Sequence, residues 1–94
     1  MHDVIVLYNR PIDPEAFDAH YRITHVQLVD ALPQLREFAW GKVVDGDYYL
    51  VARMTYDNAA EAAASMESPA GVAALADLAN FAQAGVTVLN VERS

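Results

Sequence analysis

The sequence predicts an α+β fold of the ferredoxin-like class, in which helices cover one face of a four-stranded antiparallel sheet. Apolar, β-branched runs alternate with helical segments in the order β-α-β-β-α-β. An Asp-Gly step at 45–46 separates two runs rich in aromatic and β-branched residues, which is typical of a β-hairpin. The 94 residues contain no linker and no repeat, so residues 1–94 are expected to form a single domain.

The first two predicted elements are a strand and a long helix. Residues 4–8 form a short apolar run of the kind that is found in buried strands. Asp13 and Pro14 are typical of a helix start, because an Asp side chain can cap a helix and proline fits its first position. Pro33 cannot continue the helix, so we expect it to end at about residue 30 or 32.

The remaining five elements follow from the same kinds of pattern. Asn58 can cap an alanine-rich helix, Ser68-Pro69 restarts a second helix, and Gly85 ends it. The expected segments are strands at 38–44, 48–56 and 86–91 and helices at 59–66 and 70–84.

Both faces of the predicted third strand are largely apolar or aromatic. The residues on one face are Tyr48, Leu50, Ala52, Met54 and Tyr56, and those on the other are Tyr49, Val51, Arg53 and Thr55. The helices can cover only one face, and a solvated face would alternate into polar residues. A second copy of the sheet is the simplest cover for the open face, so we expect a homodimer whose sheets pack face to face.

Composition and charge exclude several classes of function. Thirteen acidic residues against six basic ones give a net charge of −7, so nucleic-acid binding is not expected. The chain has no cysteine, which excludes disulfides, thiolate metal sites and a cysteine nucleophile. No segment resembles a signal peptide or is long enough to span a bilayer. We therefore expect a cytoplasmic protein without a membrane partner.

The first helix carries the densest group of side chains that could perform chemistry. At about 100° per residue, Phe17, Tyr21 and Leu28 face the sheet, and His25 lies at the edge of that face. Tyr21 and His25 are neighbours because they are four residues apart. Together they could bind a small carbonyl compound, with His25 exchanging a proton near neutral pH. The alternative is structural: His25 bonded to a backbone carbonyl, and Tyr21 an ordinary core aromatic.

A metal site and a cofactor site are not expected. His20 points away from His25 on the same helical wheel, and His2 lies near a terminus that is expected to fray. The three histidines therefore lack convergent ligand spacing. The chain has no phosphate loop, dinucleotide fingerprint or serine elbow.

Other side chains could line a pocket or bind a charged group. Tyr8 and Trp40 supply aromatic surface from the strands, which suits a flat organic ligand. Arg53 lies between apolar neighbours and could bind an anionic group. Its alternative role is a salt bridge across the dimer interface.

One stretch of the chain, residues 6–35, resembles the EthD family of the dimeric α+β barrel superfamily. That family typically shows a strand ending in Tyr, then Phe, then Tyr-x-x-x-His followed closely by Leu. The matching residues here are Tyr8, Phe17, Tyr21, His25 and Leu28. The family often has proline before the leucine, whereas this chain has Gln27, which interrupts the helix less. Residues 48–66 are similar to the second half of the family.

The resemblance implies a ferredoxin-like homodimer with Tyr21 and His25 in its pocket. Members of the family are associated with degradation of ethyl tert-butyl ether, and relatives act as isomerases, cyclases or dehydratases on lactones and polyketide rings. We therefore expect a cofactor-independent lyase or isomerase that acts on a small hydrophobic carbonyl, lactone or polyketide-type compound. His25 would be its acid or base, and Tyr21 would hold a carbonyl or enolate oxygen. The residues expected to bind substrate are Tyr8, Phe17, Leu28, Trp40 and Arg53.

Three alternatives remain open at this stage. The chain could be a non-catalytic accessory protein that binds a hydrophobic metabolite in the same pocket. It could be a haem-binding or quinone-forming monooxygenase, because both occur in the superfamily. It could also be a structural assembly module whose pocket is filled by its own side chains.

Overall fold

The helices of this protein pack on one face of a four-stranded antiparallel sheet, as the sequence predicts. The computed structural model describes all 94 residues. The strands are β1 (His2–Asn9), β2 (Glu37–Lys42), β3 (Tyr48–Tyr56) and β4 (Val86–Glu92), in the spatial order β2-β3-β1-β4. The helices are α1 (Pro14–His20), α2 (Val26–Asp30), α3 (Ala59–Glu67) and α4 (Pro69–Phe81), with a π-helical turn over Tyr21–His25 joining α1 to α2.

The predicted helix starts are confirmed by their hydrogen bonds. Asp13 Oδ1 accepts from the backbone N–H of Ala16 at 3.2 Å, and Asn58 Oδ1 accepts from that of Glu61 at 2.8 Å. Gly85 follows α4 with a φ of +100°, a conformation that glycine adopts without strain. None of the helices is long and apolar enough to cross a membrane.

The π-helical turn changes which residues face the sheet. The N–H of Val26 donates to the carbonyl of Tyr21, five residues earlier, so this turn holds one residue more than an α-helical turn. Because of this extra residue, each later position that faces the sheet is occupied by the residue one further along the sequence. Val29 is therefore buried, while Leu28 is only half-buried, and the prediction that Leu28 faces the sheet is wrong.

A bulge in β3 changes the face of one aromatic side chain. Tyr8 pairs with Leu50 and Asn9 pairs with Tyr48, so Tyr49 is the extra residue of β3. The ring of Tyr49 packs against Phe17 on the helix side at 5.3 Å between centroids. The prediction that Tyr49 shares a face with Val51 and Arg53 is therefore wrong, because period-two alternation breaks at a bulge.

The open face of the sheet is apolar at its centre and charged at one end. Ile5, Leu7 and Val51 lie beside one another in the register and are half-buried, and Leu89 of β4 continues this surface. At the other end Asp3 is buried, and it accepts a hydrogen bond from Thr55 at 2.7 Å and pairs with Arg93 at 2.8 Å. No element of the chain covers the apolar centre.

Candidate active site

A cavity of about 640 Å³ lies between the helices and the sheet. Seventeen of its 21 lining residues are hydrophobic, which makes it suited to an apolar ligand. Ala59, Ala62 and Ala63 of α3 border the cavity, and their small side chains leave this space unfilled. The exposed members of the lining, among them Leu75 and Val88, belong to α3, α4 and β4, so the cavity opens between these elements.

The side chain of His25 lines the cavity and is hydrogen-bonded to a carboxylate. Its side chain comes from the π-helical turn and is only 4% exposed. The Nδ1–H group of His25 donates to Oδ2 of Asp77 on α4 at 2.9 Å. The partner of Nδ1 is thus a side-chain carboxylate, and not the backbone carbonyl that the structural alternative predicts.

Asp77 is ionised although it is only 6% exposed. Burial alone would raise the pKa of Asp77, but hydrogen bonds from Asn80, His20 and His25 outweigh burial and hold it below its ordinary value. An ionised carboxylate can only accept hydrogen bonds, so it holds the proton of His25 on Nδ1. The second ring nitrogen, Nε2, is then the basic atom.

The basic nitrogen of His25 has only a weak partner within the protein. Its Nε2 lies 3.4 Å from the hydroxyl of Tyr8, a long distance for a hydrogen bond. Burial lowers the pKa of His25 below its ordinary value, and the contact with Asp77 only partly offsets this effect. His25 is therefore neutral at neutral pH and able to accept a proton.

Tyr21 supplies a hydrogen-bond donor in the same cavity. Its ring centroid lies 5.5 Å from that of His25, and its buried hydroxyl has no hydrogen-bond partner in the protein. Burial, and to a lesser degree Tyr8, raises the pKa of Tyr21 well above its ordinary value, so the hydroxyl keeps its proton. A buried hydroxyl without a partner is costly, and a ligand oxygen would satisfy it.

His20 shares the carboxylate of Asp77 with His25. Its Nε2–H group donates to both oxygens of Asp77, at 2.9 and 3.0 Å. The prediction that His20 points away from His25 is wrong, because residues five apart meet on one face of a π-helical turn. No group of three or more His, Cys, Asp or Glu side chains in the structure could hold a metal ion.

The other residues predicted to bind substrate are divided between the cavity and its surroundings. Tyr8 lines the cavity with Tyr21 and His25. Phe17 and Trp40 do not line it, and both pack against the ring of Tyr21, at 6.0 and 4.9 Å between centroids.

Leu28 and Arg53 also lie outside the cavity lining. Arg53 is on the open face of the sheet, where its guanidinium pairs with Glu37 and donates to Thr55 at 2.8 Å. Arg53 is therefore paired within its own chain, and it lies on the opposite face of the sheet from the cavity that His25 lines.

Sequence reasoning missed Asp77 and misjudged His2. Asp77 is the only charged residue between Glu67 and Glu92, and an isolated carboxylate in an apolar helix was the available signal. His2 does not fray: it lies in β1, is 7% exposed and lines the far end of the cavity.

Comparison with known proteins gives a consistent result along the whole chain. The family profile of the EthD domain matches residues 9–85. The chain is 45% identical over 94 residues to an uncharacterized 11.0 kDa protein encoded in the thcB–thcC intergenic region of Rhodococcus erythropolis, covering 95% of this chain and 91% of that protein.

Solved structures show the same fold. The chain resembles an EthD family protein from Bacillus halodurans with a TM-score of 0.95 and 31% identity, covering 100% of this chain and 99% of that one. It is also similar to a dimeric ferredoxin-like protein of unknown function from Thermobifida fusca, with a TM-score of 0.77 and 19% identity over 98% of this chain and 90% of that one.

Proposed function

The chain belongs to the EthD family, and on that premise we propose that it is a cofactor-independent lyase or isomerase. Its substrate would be a small hydrophobic carbonyl, lactone or polyketide-type compound. The observation that carries this proposal is a neutral His25 in an apolar cavity, bonded through Nδ1 to Asp77 and unprotonated at Nε2. The same arrangement of base and orienting carboxylate serves proton transfer in many enzymes.

Proton removal begins the proposed reaction. Nε2 of His25 takes a proton from the carbon next to the substrate carbonyl, and the C–H electron pair moves to form the enolate. His25 becomes an imidazolium, which the carboxylate of Asp77 stabilises across their 2.9 Å contact. The imidazolium then returns the proton to another carbon in an isomerisation, or to a departing hydroxyl group in a dehydration.

Tyr21 stabilises the negative charge that develops on the substrate oxygen. Its protonated hydroxyl is buried and has no partner, so it can donate to an enolate oxygen without breaking an existing bond. Such a donor acts strongly because the cavity is apolar and excludes much of the competing water. Tyr8, whose hydroxyl contacts Nε2 weakly, would yield that position to the substrate.

The proposal is tested by exchange of carbon-bound hydrogen in a simple ketone. The wild-type protein is expected to speed the exchange of the α-hydrogens of 2-tetralone in D2O, followed by proton NMR. His25→Gln keeps a polar side chain but removes the base, so its rate is expected to fall by about 10²- to 10⁴-fold. Binding of 2-tetralone, measured by titration, is expected to remain.

The second candidate function is an accessory protein that binds a hydrophobic metabolite without converting it. The largely apolar lining of the cavity favours this function equally. It predicts tight binding of 2-tetralone with no acceleration of exchange in either protein. If neither protein exchanges hydrogen faster than 2-tetralone does in buffer alone, catalysis of this proton transfer is excluded and the accessory function is supported. Equal acceleration by wild type and His25→Gln would remove His25 as the base.

We also propose that two copies of the chain pair through the open face of the sheet. The unpartnered apolar centre around Leu7 and Val51 supports this assembly, and the similar protein of Thermobifida fusca is described as dimeric. A homodimer would leave the cavity on the opposite face free to bind its ligand. The cytoplasmic location expected from the sequence stays a prediction.

A further inference from the structure

We propose that the cavity has a second polar subsite, formed by His2 and Asn90, which binds a hydroxyl group at the far end of the substrate. This inference rests on the proposed function, because it concerns the substrate of the same cavity. Both residues line the cavity, and they come from the adjacent strands β1 and β4. Neither belongs to the group around His25.

The hydrogen bonds of His2 leave one ring atom free. Nε2 of His2 lies 2.9 Å from Oδ1 of Asn90, and an amide oxygen can only accept, so Nε2 carries the proton. In the neutral ring the other nitrogen, Nδ1, is then an acceptor. This atom is buried and has no partner in the protein, although the whole residue is only 7% exposed.

Because Nδ1 of His2 is an acceptor without a partner, the ligand group that it binds must be a hydrogen-bond donor. An acceptor needs a donor, which a ligand hydroxyl supplies and a ketone, ether or carboxylate does not. The net charge of −7 and the presence of Glu67 in the lining further disfavour an anionic ligand. A buried acceptor in an otherwise apolar wall is costly to leave without a donor, and a ligand hydroxyl would supply one.

The two polar ends of the cavity are joined by β1. The hydroxyl of Tyr8 lies 3.4 Å from Nε2 of His25, and Tyr8 and His2 both line the cavity. They are six residues apart along β1, so their Cα atoms are at most about 20 Å apart. A substrate that reaches both ends needs a carbonyl at one end, an apolar middle and a hydroxyl at the other.

The test compares octan-2-one with 8-hydroxyoctan-2-one by calorimetric titration. A neutral hydrogen bond predicts that the hydroxyl compound binds wild-type protein about 2- to 10-fold more tightly. His2→Phe keeps a ring of similar shape but removes the acceptor. It is expected to bind both compounds equally, with octan-2-one bound at least as well as by wild type.

Two outcomes would overturn this subsite. One is the absence of any gain from the hydroxyl in wild type, and the other is a gain that survives in His2→Phe. If neither compound binds, the proposed function fails as well, which separates that failure from failure of the subsite alone.

A measurement on the wild-type protein covers the case in which His2→Phe does not fold. The 15N resonance of His2 Nδ1 is expected to shift on addition of 8-hydroxyoctan-2-one and not on addition of octan-2-one. An identical response to the two compounds would contradict the subsite.

Discussion

The base strength of His25 depends on two effects that act in opposite directions. Burial favours the neutral ring and lowers its pKa, whereas Asp77 favours the charged ring. Asp77 is also bonded to His20 and Asn80, so its charge is shared among three donors and is not available to His25 alone. The result is a histidine that stays neutral but keeps a fixed tautomer.

Replacing Asp77 tests whether it sets the tautomer of the His25 ring. Asp77→Asn keeps the size of the side chain, but its amide nitrogen can donate to Nδ1 and hold the proton of His25 on Nε2. The rate of 2-tetralone exchange is expected to fall by more than about 10²-fold, because the basic atom would no longer face the cavity. Exchange is measured by proton NMR beside Asp57→Asn, in which the altered carboxylate pairs with exposed Arg36. Equal rates for the two variants would remove Asp77 from the mechanism.

At the residue scale the sequence predicted local neighbours and not distant ones. Tyr21 and His25 could be paired because their separation of four residues fixes their proximity on a helix. His25 and Asp77 are 52 residues apart and meet only because α4 packs against the π-helical turn. No local pattern encodes that contact.

At the scale of elements, the π-helical turn decides which side chains meet Asp77. In a regular α-helix, residues five apart lie on different faces, and His20 and His25 could not share one carboxylate. A helical wheel drawn at a constant 100° per residue does not predict an extra residue in one turn. For this reason the sequence predicts that Leu28 is buried, whereas Val29 occupies that position, and it predicts that His20 points away from the site.

The alanines of α3 have a functional consequence that composition alone did not indicate. The sequence indicates only that this helix is rich in alanine, yet the small side chains of Ala59, Ala62 and Ala63 border the cavity and leave it open. Ala62 is buried in this wall, and Ala64 is exposed on the same helix outside it.

Filling the cavity from α3 is expected to reduce binding without loss of stability. Ala62→Leu places additional methyl groups in empty apolar space, so the free energy of unfolding should not fall. The affinity for 2-tetralone is expected to drop by at least about tenfold, the equivalent of about 1.4 kcal/mol. Titration calorimetry and urea unfolding measure the two effects, with Ala64→Leu as the matched control. Unchanged binding by Ala62→Leu would place the ligand outside this cavity.

At the scale of the whole molecule, the order and type of the elements were predictable because each carries a periodic pattern and its own caps. The cavity was not, since its volume depends on how far the helices stand from the sheet. The open face of the sheet was also predictable in part, because both faces of β3 are apolar and the helices cover only one. The bulge at Tyr49 is the exception.

A substitution that places one charged side chain on the open face tests whether the chain dimerises through it. Leu89→Glu puts a carboxylate on a side chain that is 43% exposed on the sheet, and it is expected to convert the dimer to a monomer in analytical ultracentrifugation. Val72→Glu is the matched control, since Val72 is 58% exposed on α4, away from the sheet. A wild-type monomer, or a Leu89→Glu dimer as stable as the control, would contradict pairing through this face.

The proposed reaction requires that His25 present an unprotonated Nε2 to the cavity, and 15N NMR of the histidine rings measures this directly. At pH 7 we expect a neutral ring protonated on Nδ1. On acidification the ring should titrate with a midpoint below 6.5, because burial lowers its pKa, and exchange activity should fall through the same midpoint. A ring protonated on Nε2 at pH 7, or one that is already an imidazolium, would contradict His25 as the base.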